Sequence, residues 1–288
     1  MKIENVLTGF IPEPRGRDGL ALAMLLARQA RATLTVATVE PPAWNTPGPA
    51  RAEESAWRSY LHEQATSTLD QARELAGNEA DYVVQTNRGS GRGLVELARK
   101  LDVDVVVIGS APSGSKGRVS MGSTADQLLH SSSVPVLLAP KGWSDEPPGE
   151  FSRITVAYRR GPGCDAAVSV AASVAAALDV PLRLVTLVVA AGRRVKIEQE
   201  MDERLREQAA ADLKAAARGQ RRRTQVEVEV LEGRTVAHAM AETEWLPGEL
   251  IICASSSTGP LRRVFLGDTS IKIVKAATRP VMILTREP

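Results

Sequence analysis

The sequence predicts an α/β protein made of two tandem copies of one doubly wound domain, each with a parallel five-stranded sheet. First, the chain repeats itself: Gly122 and Gly267 are 267 − 122 = 145 residues apart, and Pro135 and Pro280 are 280 − 135 = 145 residues apart. Second, strand segments alternate with helical ones and several strands are solidly apolar, as in parallel sheets covered on both faces. Third, a length of 288 residues suits two ordinary domains.

The first copy follows the order β-α-β-α-β-α-β-α-β. Its strands are rich in β-branched residues, and its helices show apolar residues at helical spacing between polar ones. The predicted segments are 5–10, 20–31, 33–39, 53–76, 81–86, 93–101 and 104–109, then a helix after Thr124, and a last strand at 134–138.

The second copy repeats this order. Its predicted segments are 154–158, 166–178, 182–189, 196–217, 225–231, 236–244, 249–254, a helix after Thr269, and 279–284. Gly142, Pro147, Pro148 and Gly149 interrupt regular structure between the copies. We therefore predict domains at 1–141 and 153–288, joined by a solvated linker at 142–152.

The composition argues against several classes of function. A net charge of +2 with 24% charged residues provides no strong field for nucleic acid or membranes. No apolar run reaches the 18 or so residues of a membrane span, and the N-terminus lacks the pattern of a signal peptide. The two cysteines are too few for a disulfide framework. We expect a cytoplasmic protein that binds neither nucleic acid nor membrane.

A Gly/Ser-rich loop follows the apolar strand that ends at Gly109. A loop of this kind that leads into a helix can bind an anion, because backbone N–H groups and the helix N-terminus converge there. The segment is not a P-loop, since Ser115 and Lys116 stand where that motif requires Lys and Ser or Thr.

Strand, loop, Gly-Ser-Thr, helix and Val-Pro-Val together resemble the universal stress protein family. ATP-binding members of that family carry Gly-x2-Gly-x9-Gly-Ser/Thr here, and the first copy reads Gly109-x2-Pro112-x9-Gly122-Ser123. The resemblance implies an adenine nucleotide alpha hydrolase-like fold and ATP as ligand, alone or with Mg²⁺. The positions it implies for phosphate and ribose contacts are Ile108, Gly109, Gly122, Ser123 and Thr124, and Val39 matches a position that touches the adenine. Pro112 and Lys116 of the same loop complete the predicted site.

The first copy departs from the family pattern at two places. Pro112 has no N–H, so a phosphate there loses a hydrogen bond worth about 1.5 to 3 kcal/mol. Lys116 and Arg118 either offset that loss or are solvated loop charges. The family's Asp after the first strand is missing, because Phe10 or Ile11 stands near its place and Glu13 is displaced.

Two further readings concern helix starts. Ser123 is compatible with ligand binding and also with a helix N-cap. The second copy reads Ala254-x2-Ser257-x9-Gly267-Asp268, and its Asp268 would repel a phosphate. Because Arg159 and Arg160 also replace the family's Asp, we expect this copy to have lost triphosphate binding.

Three functions remain open. The first is a stress-response protein that binds ATP or a related nucleotide weakly through the first copy. The second is a nucleotide-independent tandem protein that acts as an interaction or regulatory module. The third is an enzyme such as a nucleotidyl transferase, which we disfavour because His62, His130 and His238 form no metal or catalytic motif. We expect no enzyme activity.

The last strand of each copy is an apolar edge candidate. Pairing these two strands within one chain would cover both edges and create an internal pseudo-twofold dimer. Further homodimerisation of whole chains is left open.

Overall fold

A computed structural model describes residues 1–42, 51–189, 196–254 and 268–285 of the chain. Within these ranges ten strands form one sheet, and eight α-helices cover it. Both copies have the predicted alternation of strands and helices, so the α/β class is confirmed.

The strands of the first copy are β1 Asn5–Gly9, β2 Thr33–Glu40, β3 Asp81–Thr86, β4 Val105–Gly109 and β5 Val136–Ala139. Its helices are α1 Pro14–Ala30, α2 Arg51–Ala76, α3 Ser90–Lys100 and α4 Ser123–Ser131. The strands of the second copy are β6 Arg153–Ala157, β7 Leu182–Val189, β8 Val226–Gly233, β9 Glu249–Cys253 and β10 Val281–Ile283. Its helices are α5 Pro162–Leu178, α6 Lys196–Arg218, α7 Val236–Ala241 and α8 Asp268–Ala276.

The two five-stranded sheets join at their last strands. The order is β3-β2-β1-β4-β5-β10-β9-β6-β7-β8, and every neighbouring pair is parallel except β5 and β10. Leu137 lies opposite Met282 in that antiparallel pair, and 282 − 137 = 145 is the repeat distance. The two strands are therefore related by a pseudo-twofold axis at this position, which confirms the predicted internal dimer.

Apolar side chains fill both faces of the sheet. One buried cluster lies beneath α1, α2, α5 and α6, and the other beneath α3, α4, α7 and α8. Each face thus receives two helices from each copy. Successive residues of β5 and β10 contribute to opposite clusters, as expected from the period of two in a strand.

The segment between the copies is more ordered than its composition suggests. Trp143–Asp145 form a 3₁₀ helix, and Trp143 and Phe151 are buried. The carboxylate of Asp18 in α1 accepts hydrogen bonds from the backbone N–H groups of Gly142 and Ser144 at 2.8 Å each. Residues 145–147 and 149–150 are exposed, as expected for a solvated linker, whereas Trp143 and Phe151 on either side of them are buried.

Four helix boundaries differ from prediction by three residues or more. Helix α3 begins at Ser90 rather than at residue 93, and α5 begins at Pro162 rather than at residue 166. Helix α1 begins at Pro14 rather than at residue 20, since proline is favourable in the first turn although Gly16 and Gly19 lower helix propensity. Helix α7 ends at Ala241 rather than at residue 244. None of the helices in the described ranges combines the length and hydrophobicity needed to cross a lipid bilayer.

Candidate functional site

A cavity of about 330 Å³ lies at the carboxyl edge of the first copy. It is enclosed by the ends of β1, β2 and β4, by the first turns of α1, α3 and α4, and by the loop that follows Gly109. Ligands of open α/β sheets bind at this edge, and the volume lies at the lower end of the usual range for small-molecule sites.

Seven of the eight residues predicted from the sequence line this cavity. They are Val39, Ile108, Gly109, Pro112, Gly122, Ser123 and Thr124. Lys116 is not among the lining residues: its ammonium group lies 2.6 Å from the Asp145 carboxylate, and this hydrogen bond raises the pKa of Lys116. Both side chains of that pair are well exposed.

The two motif glycines are needed for close approach. A Cβ at Gly109 would lie 2.0 Å from the carbonyl oxygen of Arg15, so the end of β4 abuts the backbone of α1. A Cβ at Gly122 would lie 3.0 Å from that of Ala111, which is tighter than ordinary contact. Gly109 therefore serves packing, whereas a side chain at Gly122 would crowd Ala111 on the other side of the loop.

Hydrogen bonds fix the conformation of the loop that follows Gly109. The Ser110 hydroxyl donates to the Ala139 carbonyl at 2.6 Å and accepts from the Ser120 N–H at 3.0 Å. The ammonium group of Lys141 donates to the carbonyls of Pro112 at 2.7 Å and Gly114 at 2.9 Å. Pro112 thus has a structural contact through its carbonyl although it lacks an N–H.

Arg118 links this loop to the second copy. Its guanidinium donates to the carbonyl of Ala276, the last residue of α8, and the neighbouring Val119 N–H donates to the Ala277 carbonyl at 3.3 Å. A cation is favourable at the C-terminus of a helix. Arg118 is therefore an exposed loop cation that bonds the other copy, and it is not among the residues that line the cavity.

Three helix N-termini meet at the cavity. The N-cap residues of α1, α3 and α4 are Glu13, Gly89 and Gly122, and no side chain of these three residues caps its helix. In α3 the Arg92 N–H instead donates to the side-chain oxygen of Gln127 at 3.3 Å. Helix N-termini carry partial positive charge and unsatisfied N–H groups, so their convergence favours an anion. Ser123 is the first residue of α4 rather than its N-cap, so the capping reading of Ser123 was wrong.

The residue that sequence reasoning missed is Arg15. Among the described residues it is the one charged residue that lines the cavity, where Phe10 and Ile11 stand near the place of the family's Asp. Glu13 is not among the lining residues, and its carboxylate pairs with Arg15 at 3.0 Å. The available signal was a cation directly after Pro14 at the start of a helix.

Comparison with known proteins places the chain in a family. The model of the universal stress protein family matches residues 4–140 and again residues 150–285. The chain belongs to the universal stress protein family. It is 31% identical to a universal stress protein of Mycobacterium tuberculosis over 97% of this chain and 99% of that protein. It is 27% identical to universal stress protein C of Escherichia coli, over 49% of this chain and 97% of that protein.

Solved structures of universal stress proteins share the tandem fold. One from Archaeoglobus fulgidus covers 100% of both chains with a TM-score of 0.64 at 17% identity. A putative universal stress protein from Pseudomonas aeruginosa covers 98% of this chain and 93% of its own, with a TM-score of 0.60 at 14% identity. At these identities the likeness shows the fold.

The second copy of this universal stress protein differs at the equivalent edge. Helix α7 has a side-chain cap, because the Thr235 hydroxyl accepts from the His238 N–H at 3.1 Å, and α8 begins with Asp268. A separate void of about 10 Å³, no larger than one water needs, lies inside the second copy beneath α7 and α8, where residues such as Thr155, Met240 and Ile251 line it. Arg160 pairs with Asp212 at 3.3 Å, and Ser257 and Gly267 lie outside the described residues.

The three histidines lie in three different helices. His62 is in α2, His130 in the last turn of α4 and His238 in α7. Over the described parts of the chain, no group of three His, Cys, Asp or Glu residues is arranged to hold a metal ion.

Proposed function

We propose that this universal stress protein acts in the cytoplasmic stress response by binding ATP or a related nucleotide weakly through its first copy. The observation that carries the proposal is the cavity of about 330 Å³ at which the N-termini of α1, α3 and α4 meet, with Ser123 and Thr124 of α4 among its lining residues. Seven motif positions and Arg15 line the same space.

The cavity offers different surroundings to the two ends of a nucleotide. Phe10, Ile11, Val39 and Leu94 provide apolar contacts that suit a base. The hydroxyls of Ser123 and Thr124 and the N-terminus of α4 suit phosphate oxygens. Weak affinity is expected because Pro112 cannot donate a backbone hydrogen bond.

The residues of the cavity do not fit a dedicated Mg²⁺ site. Mg²⁺ binds carboxylates and phosphate oxygens in near-octahedral geometry, and no carboxylate is found among the described lining residues. We therefore expect Mg²⁺ to affect affinity only through the phosphates of the nucleotide itself.

We further propose that the protein does not turn its nucleotide over. Hydrolysis needs a group that positions or deprotonates water, usually a carboxylate or a histidine. The described lining residues offer only Ser and Thr hydroxyls and the Arg15 guanidinium, none of which is a general base at neutral pH.

The test is calorimetric titration of nucleotide-stripped protein with ATP, with and without Mg²⁺. We expect saturable binding that weakens at least tenfold in Gly122→Val, because a side chain there collides with Ala111 and narrows the cavity. Gly149→Ala is the control, since a Cβ at Gly149 meets nothing within 4 Å and its variant should bind as the wild type does.

Equal ATP affinity in Gly122→Val and the wild type, with both proteins folded, would contradict the proposed site. The second candidate function is a nucleotide-independent regulatory or interaction module. Phe10 and Ile11 in place of a carboxylate favour it, as does Pro112. Absence of any heat or thermal shift up to millimolar ATP would select this alternative.

A further inference from the structure

We propose that Arg15 determines the ligand specificity of the first copy by selecting ligands with a chain of phosphates over those with one phosphate or none. The inference rests on the proposed function because it concerns the same cavity. It adds a residue that the family motif does not include, and a direction of selectivity.

The backbone of Arg15 is fixed at the cavity wall. A Cβ on Gly109 would come within 2.0 Å of the Arg15 carbonyl oxygen, and one on Gly16 within 2.0 Å of the Ile11 carbonyl oxygen. The turn from β1 into α1 therefore lies against the end of β4, where the Gly/Ser-rich loop begins. Arg15 is one of the residues that line the cavity, and its side chain, 39% exposed, starts from a defined point beside that loop.

The charge of Arg15 is available to a ligand. Of the two carboxylates nearest along the chain, Asp18 is 1% exposed, and both of its oxygens accept hydrogen bonds from the segment Gly142 to Ser144. Glu13 pairs with Arg15 at 3.0 Å, but its side chain is 52% exposed. Exposed pairs of this kind are weak, so a multiply charged phosphate chain can displace Glu13.

The position of Arg15 is unfavourable without an anion. It stands in the first turn of α1, where the helix dipole repels a cation, and α4 presents a second positive terminus to the same space. A guanidinium offers a planar fork that binds phosphate oxygens in pairs. Each added phosphate therefore increases the attraction, whereas a neutral ligand gains nothing from Arg15.

The geometry also assigns a competing role to Glu13. Its carboxylate accepts from the Arg15 Nε at 3.0 Å, which leaves the Nη groups to a ligand, but its negative charge beside the guanidinium opposes a phosphate. Removal of the Glu13 charge should strengthen phosphate binding, whereas removal of the Arg15 charge should weaken it. Opposite effects of two neighbouring residues are not expected from a purely structural role.

The experiment measures binding of ATP, AMP and inorganic triphosphate to the full chain by calorimetry. We expect Arg15→Gln to lower ATP and triphosphate affinity by about tenfold, the loss typical of one charge-assisted hydrogen bond, and AMP affinity by less. Glu13→Gln should raise ATP affinity, and Arg15→Lys should recover part of the loss. Arg17→Gln is the control, because Arg17 is an exposed cation two residues on that does not line the cavity.

The outcomes separate this inference from the proposed function. ATP binding that is equal in wild type and Arg15→Gln, at equal melting temperatures, would overturn the role of Arg15 and leave the nucleotide site standing. If inorganic triphosphate binds in a way that depends on Arg15 but ATP does not bind, the role of Arg15 in phosphate binding is supported and the proposed nucleotide binding is contradicted. No binding of either probe to the wild type would overturn both.

Discussion

Gly109 illustrates how one residue serves both the fold and the site. Its missing side chain lets the end of β4 touch the backbone of Arg15, and it also begins the loop that borders the cavity. A motif glycine is usually assigned to ligand contact, but here packing alone requires it. The spacing of a motif in the sequence locates such a glycine, but it does not show whether packing or ligand contact requires it.

Gly109→Ala should destabilise the protein whether or not nucleotide is present. The added methyl group would meet the Arg15 carbonyl, and overpacking of this kind costs about 1 to 3 kcal/mol. Urea unfolding measures the loss, and Gly149→Ala, at an open position, should change stability little. A Gly109→Ala protein as stable as the wild type would show that this close approach does not exist.

The motif spacing predicted the loop side of the cavity and missed the α1 side. Val39, Ile108 and Gly122 come together as predicted because parallel strands end at one edge of the sheet. Arg15 was missed for a physical reason: Gly16 and Gly19 depress helix propensity, so the start of α1 was predicted too late in the chain. Both glycines are needed because backbone atoms approach them closely, and helix propensity takes no account of such contacts.

At the scale of elements, the second copy contains a buried ionic network that its sequence did not reveal. Arg183 in β7 lies 3.2 Å from Glu249 in β9, and both side chains are almost fully buried. Arg183 also pairs with Glu229 at 2.6 Å and lies over the Trp245 ring at 5.2 Å from its centroid. The partners come from separate strands, so no local pattern predicts their contact.

Glu249→Gln should destabilise the chain strongly. The substitution leaves the buried Arg183 guanidinium with less compensation, and breaking a buried pair costs about 3 to 5 kcal/mol. Glu227→Gln is the matched control, because Glu227 is 47% exposed and lies 3.5 Å from Arg153, so its loss should cost less than about 1 kcal/mol. Equal unfolding midpoints for the two variants would contradict the structural role of the network.

Helix α2 shows a limit of periodicity. Leu69 is buried as its spacing predicts, whereas Trp57 and Leu75 are about half exposed. The helix has 26 residues and adjoins strands of eight and six residues, so it is about twice as long as β3. Apolar spacing marks the face of a helix but does not show how far the sheet extends beneath it.

At the scale of the whole molecule, the internal repeat predicted the arrangement of the two copies, which no single helix or strand could predict. A constant spacing of 145 residues indicated two like copies, and apolar last strands indicated their pairing, both of which the β5–β10 register confirms. The copies have the same fold but differ at the starts of the helices on the ligand edge: α4 begins with Ser123 where α8 begins with Asp268, and Thr235 provides a side-chain cap for α7. Arg118 joins the two through the end of α8.

The central claim is that one copy of this pair binds a nucleotide. The most direct test is an experimental structure of the full chain at saturating ATP. We predict one nucleotide per chain, in the first copy, with its phosphates at the N-terminus of α4 and beside Arg15. A nucleotide in the second copy, or none in either, would contradict this account.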